Sequence, residues 1–183
     1  AITNKTKLVA ITHMSNVLGT VTPLKEIVTR AHAKGVPVLA DGCQGAVHEV
    51  IDVQTLDIDF YALTGHKIYG PTGIGALYAK RVHLKAMHPF NGGGEMIRQV
   101  SRDIVTYADP PARFEAGTPP IIESVGLAAA MDYLMALDRA AVKAHEHDLL
   151  TYARERLRDF NWLRGSGDAP GKRATISFEA ERM

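Results

Sequence analysis

The chain has 183 residues, 46% of them hydrophobic, which is enough for one sizeable core or for one domain and part of another. Its 21 basic and 20 acidic side chains are mixed along the sequence with a net charge of +1, which excludes an electrostatic case for nucleic acid or a membrane surface. One cysteine, Cys43, excludes an internal disulfide and an all-thiolate zinc site, and no apolar run reaches membrane-spanning length.

In chain order, Lys7 to Thr12 (KLVAIT) reads as a short buried strand. HMSNVLGT follows as a loop. Pro23 then opens a helix with Thr22 as its N-cap, Leu24, Ile27, Val28 and Ala31 on one face, and Gly35 at its end. VPVLAD is a second strand that finishes at Asp41, and GCQGAVHEV makes a short helix or turn. Asp59 to Leu63 is a third strand and Gly75 to Ala79 a fourth. Strand, helix and strand at this spacing predict an α/β fold, a right-handed crossover in a mainly parallel sheet flanked by helices.

From Asn91 to Thr118 the periodicity disappears, and the stretch reads as long loops of the functional or interfacial kind. Ile121 to Leu137 is an Ala-rich helix expected to pack in the core. Arg139 to Phe160 is a second helix with a solvated, charged face over an apolar stripe. WLRGSGDAPGKR reads as a loop before a last strand-like run. Residues 1–140 are expected to form one unit with an interface loop at about 91–118, and 141–183 a linking helix and the start of a smaller one. AITNKTKLVAITH has no signal-peptide layout and enters a strand almost at once, while RATISFEAERM stops just after one. Both ends are expected to be cuts through a larger protein. The lone cysteine makes a reducing, cytoplasmic setting the default expectation.

In open α/β sheets ligands bind at the carboxyl ends of parallel strands. Here the first end yields His13, Ser15 and Asn16, the second Asp41 and Gln44, and the third Thr64, His66 and Lys67. GPTGIG looks like a phosphate loop, but it lacks the Gly-Lys-Ser/Thr ending and runs into a strand instead of a helix. His13, His48 and His66 lack the close spacing of a metal set, so no metal is expected. Pyridoxal phosphate (PLP) fits better. It needs a lysine to form a Schiff base with its aldehyde, a carboxylate facing the pyridine nitrogen, and hydroxyl, imidazole or backbone N–H groups around its phosphate. Lys67, Asp41 and the pair Thr64 and His66 supply that set.

THMSNVLGT, LADGCQGAVHEVIDVQTLDIDFYALTGHKIYGPTGIGALYAK, GGGEMI and RFEAGTP, in this order, resemble the class V aminotransferases. Within that fold they look most like the cysteine desulfurases and selenocysteine lyases that serve iron–sulfur cluster assembly. The resemblance covers residues 1 to about 160. It implies the large domain of a fold type I, aspartate aminotransferase-like PLP-dependent transferase, with the start of a smaller C-terminal α+β domain. It gives Lys67 the Schiff base and proton transfer, Asp41 the pyridine nitrogen, and Gln44 the phenolic oxygen. Thr64 and His66 become phosphate contacts, and Asn16 a neighbour of cofactor and substrate carboxylate. Thr118 would cross a homodimer interface to the partner's cofactor phosphate. The family's catalytic cysteine and its carboxylate-binding arginine are expected outside this stretch. Implied with these are L-cysteine or L-selenocysteine as substrate and a sulfur-acceptor protein as partner. The alternatives are another class V lyase or aminotransferase, and a non-catalytic relative that binds a partner.

Blander roles compete at several positions. Cys43 reads as a small packing residue, not a nucleophile. Asn16 also suits a turn, Thr118 before Pro119 also suits a helix N-cap, and His13 suits a structural hydrogen bond.

Overall fold

The computed structural model describes residues 1–181. β1 (Val9–Thr12) leads through a loop into α1 (Leu24–His32) and back along β2 (Val38–Asp41), which pairs parallel with β1 from Val9↔Val38 to Thr12↔Asp41. Two four-residue helices follow, α2 (Gly45–His48) and α3 (Val53–Leu56). Asp52 caps α3, its carboxylate accepting from the N–H groups of Gln54 at 2.9 Å and Thr55 at 3.0 Å. β3 (Phe60–Thr64) then adds parallel to β2. β4 (Gly75–Ala79) returns antiparallel to β3, giving the order β1-β2-β3-β4. The expected mainly parallel sheet is therefore present, with an antiparallel strand at one edge.

Side-chain alternation puts this sheet's core on α1. Val38 and Ala40 of β2 are fully buried and meet Leu24, Val28 and Ala31 of α1, with Val36, Ile58 and Tyr61 completing the cluster. Burying side chains of this size stabilises by about 1.5–3 kcal/mol each, so this face anchors the crossover. The start of α1 differs from the expected one. Its N-cap position is Pro23, and the Thr22 hydroxyl instead donates to the Thr12 carbonyl at 2.7 Å. The Thr22 N–H also pairs with His13 O at 2.8 Å, so Thr22 is drawn to the end of β1 and cannot turn back to cap the helix.

The amino ends of the strands are tied by one buried carboxylate. Asp59, just before β3, accepts from the Val38 N–H at 2.8 Å. It also bonds His32 at the end of α1 at 2.7 Å and His83 in α4 (Arg81–Ala86) at 2.9 Å, while Lys80 stands 3.3 Å away. Burial opposes ionisation of Asp59. The hydrogen bonds from His32, His83, Val38 and Lys80 outweigh it and hold the carboxyl well below the usual range.

The second half corrects several expectations. The stretch 91–118 holds an antiparallel hairpin of β5 (Ile97–Val100) and β6 (Val105–Tyr107), and a 3₁₀ turn at Ala112–Phe114. α5 (Ile121–Ala136) starts after Pro120, so Thr118 is not its N-cap. The expected core helix buries only Leu127 and Ala130, seating Gly126 and Leu127 on the turn at Gly70 and Pro71. Its Met131 and Leu134 line an open apolar groove of about 720 Å³ with Leu63, Ile68 and Leu77. α6 (Arg139–Leu157) is capped by Asp138, which accepts from Ala140 and Ala141 N–H at 3.0 and 3.1 Å. WLRGSG is not loop: β7 (Leu163–Ser166) pairs antiparallel with β8 (Ser177–Ala180). Among the described residues no helix is long and apolar enough to cross a membrane.

Candidate active site

Because β1, β2 and β3 are parallel, their carboxyl ends share one rim. Thr12, Asp41 and Ala62 stand side by side in register, and Thr64 lies two residues further along β3. The rim carries polar groups because each strand's apolar run stops here. Asp41 ends β2 with its carboxylate exposed, after the buried Val38 and Ala40. β3 ends at Thr64, and Gly65–Lys67 winds straight into a 3₁₀ turn.

That turn depends on glycine at Gly65. A Cβ there would stand 2.9 Å from the Pro71 carbonyl and 3.0 Å from the Ile74 carbonyl. Gly65 N–H bonds Ile74 O at 2.8 Å, while Ile68 and Gly70 N–H both return to Gly65 O. GPTGIG is thus the connection between two antiparallel strands and not a phosphate loop. Within the turn Thr64 Oγ1 and His66 Nδ1 are 2.9 Å apart.

Lys67 is half-buried and donates to no protein acceptor among the described residues. Its ammonium is close enough to act on both Asp41 and Cys43. Asp41 Oδ1 accepts from the Cys43 N–H at 3.0 Å, and the Cys43 thiol also favours the ionised carboxylate. Together they hold the Asp41 carboxyl below its ordinary value against partial burial, and the Lys67 charge helps. Burial pushes the Cys43 thiol up, and the Asp41 carboxylate pushes it further than Lys67 can offset. Cys43 therefore stays a thiol near neutral pH, a poor nucleophile.

Gln44 opens α2 directly behind Asp41 and is half-buried. The helix sits on two buried side chains, His13 and Tyr61, whose Nδ1 and hydroxyl are 3.0 Å apart. Gly45 permits this approach, since a Cβ there would stand 2.3 Å from His13 Nδ1. Burial lowers the His13 pKa, Glu49 opposes and Arg173 adds to the lowering. His13 is thus a structural hydrogen-bond partner. His48 bonds Glu146 at 3.1 Å, so His13, His48 and His66 have three separate partners and do not converge.

Asn16 is exposed at the tip of the loop after β1, a turn closed by Ser15 N–H to Thr20 O at 2.9 Å. Thr118 is exposed in another loop, where Gly117 N–H bonds Gly94 O at 2.9 Å. It makes no contact with the strand-end group among the described residues. Sequence reasoning missed the support under the rim. Tyr61 follows the likewise buried Phe60 in β3, so alternation does not single it out. The ion pair of Glu49 and Arg173 has no local signal, because its partners are remote in sequence.

The rim offers an amine, an ionised carboxylate and a hydroxyl–imidazole pair at one sheet edge. The fold is that of the large domain of the fold type I, PLP-dependent transferases. The description "Aminotransferase class-V" matches residues 1–183, and the chain belongs to that family. It is 52% identical over 179 residues to a cysteine desulfurase of Dickeya dadantii (strain 3937), covering 97% of this chain. The cysteine desulfurase CsdA from Escherichia coli, solved in an S-sulfonic acid form, superposes with a TM-score of 0.92 at 41% identity, over 98% of this chain and 44% of that one. C-DES, solved with a glycine covalently linked to its PLP cofactor, gives 0.82 at 27% identity, over 98% of this chain and 48% of that one. The chain spans 43% of the length of the Dickeya relative.

Proposed function

We propose that the full-length protein is a PLP-dependent cysteine desulfurase. It would convert L-cysteine to L-alanine, breaking the carbon–sulfur bond and passing the sulfur to a cysteine thiol as a persulfide for iron–sulfur cluster assembly. The observation that carries this reading is the shared rim, where Asp41 ends β2 and Lys67, with no protein acceptor among the described residues, follows the end of the adjacent parallel strand β3. Relatives near 50% identity named cysteine desulfurase or probable cysteine desulfurase support it.

PLP, when bound, supplies an electron sink next to the reacting carbon. Lys67 would hold the cofactor through its aldehyde and would serve as the base that moves a proton at the substrate's α-carbon. Asp41 would meet the pyridine nitrogen and keep it protonated, a role its lowered pKa fits. Gln44 holds the phenolic oxygen, Thr64 and His66 the phosphate, and Asn16 the region of the substrate carboxylate. Cys43 is not the sulfur acceptor, because its thiol is held protonated. We further propose a cytoplasmic homodimer in which Thr118 reaches the partner's cofactor phosphate, with a separate protein taking the sulfur. Residues 1–140 would belong to the large domain and 141–183 to the link into the small one. L-Selenocysteine is a second substrate for the same site.

The test uses the full-length protein. PLP should give a visible absorption band, borohydride should fix the cofactor to Lys67 by mass mapping, and L-cysteine should yield alanine. Cofactor still fixed to the protein by borohydride in Lys67→Ala would remove the basis of the reading.

A further inference from the structure

Arg173 touches two parts of the rim at once. Its backbone N–H donates to Gly19 O at 2.9 Å, in the loop whose tip is Asn16. Its guanidinium bonds the Glu49 carboxylate, at the C-cap of the helix that starts at Gln44. The remaining fork nitrogen, Nη1, donates to Gly171 O at 3.0 Å. Both side chains are largely buried, Arg173 at 13% and Glu49 at 20% exposure. Buried, multiply bonded pairs hold geometry better than exposed ones.

The approach to the loop is close. Gly19 has φ +70°, and a Cβ there would stand 2.7 Å from the Arg173 carbonyl. The loop also braces itself, with Gly19 N–H on Ser15 O at 3.0 Å and Leu18 N–H on Ser15 Oγ at 3.0 Å. It is a stiff unit, so a hold on Gly19 is a hold on Asn16. The helix is similarly short and stiff, and Glu49 N–H closes it on Gly45 O at 2.8 Å.

We propose that Arg173 is a positioning residue that fixes the gap between the Asn16 loop and the Asp41–Gln44 turn by binding Gly19 and Glu49 together. This rests on the cofactor reading above, which seats the ring and the substrate carboxylate in that gap. Loss of the tie loosens the gap without detaching the helix. Arg139 still donates to Val47 O, and His48 still meets Glu146 at 3.1 Å.

Hydrogen exchange on the full-length protein, without added cofactor, reads the loop and the helix separately. Arg173→Ala and Glu49→Leu are each expected to speed exchange roughly tenfold in both segments 15–20 and 45–49, with β1 to β3 unchanged. Faster exchange in one segment only, in neither, or across the whole sheet overturns the proposal. In the PLP-loaded protein each variant should lower kcat/KM for L-cysteine about tenfold while borohydride still fixes the cofactor to Lys67. The double variant should be no worse than either single one, because one tie is lost in all three. An unchanged kcat/KM also overturns it. Glu49→Leu keeps the side chain's bulk, leaves the guanidinium without its acceptor, and carries the test if Arg173→Ala does not fold. Should the unmodified protein take no PLP at Lys67, the cofactor reading fails there, and the exchange result still decides whether the tie exists.

Discussion

The two rims of the sheet use their charges in opposite ways. At the amino rim Asp59 is nearly enclosed, with 6% side-chain exposure, and both of its oxygens have partners on α1, β2 and α4. At the carboxyl rim Asp41 is exposed and Lys67 has no protein acceptor among the described residues. A charge surrounded by fixed partners stabilises a fold, whereas a charge left open to solvent is available to a ligand. Comparing the rims separates architecture from chemistry without reference to any relative.

Substitutions at the two rims should therefore fail differently. The largest effect is expected from Lys67→Ala in the full-length protein. It should lower alanine formation from L-cysteine by more than about 10³-fold and abolish borohydride-fixed cofactor, with little change in the urea midpoint. Asp59→Ala should do the reverse. It strands His32, His83 and Lys80 around an empty acceptor and should cost about 3 kcal/mol in urea unfolding. Protein that remains folded should still bind PLP at Lys67. Asp41→Asn comes next, with turnover lowered about 10²-fold and stability near that of the unmodified protein. An Asp41 variant that unfolds as easily as Asp59→Ala would erase the distinction between the rims.

Much of the carboxyl rim was legible in the sequence. Strand ends follow from where an apolar run stops, so Asp41 and Thr64 could be placed from VPVLAD and DFYALT alone. The helix cap at Asp138 could likewise have been read from its position before an apolar-periodic run. The amino rim was not legible. His32, Asp59 and His83 come from three elements, and no local pattern reports that they meet. Strands β5, β6 and β7 were missed for another reason, although the run that forms β8 did read as a strand. They are short and largely exposed, so their residues lack the alternation that burial imposes. Thr22 and Thr118 show a third limit. Each stands next to proline as a cap would, but Thr22 is captured by the end of β1, and the helix after Thr118 starts later.

The smallest effect isolates the Asp59 charge itself. Its folded pKa lies well below that of an unfolded aspartate, so its stabilising contribution is complete above the unfolded value, about 3.9, and is lost as pH falls from there toward the folded value. Within that window the unfolded chain holds one more proton at this position than the folded one. Stability should then fall by about 1.4 kcal/mol per pH unit from this group alone. Asp57, which Lys80 and His32 also face, contributes its own acid dependence and remains in both proteins compared. Urea unfolding of the full-length protein and of Asp59→Asn between pH 2.5 and 4 should therefore give a shallower acid slope for the variant, by about one proton. Parallel slopes would mean that Asp59 is not ionised inside its ring of donors. The amino rim would then be a neutral hydrogen-bond cluster, and the contrast with the carboxyl rim would rest on exposure alone.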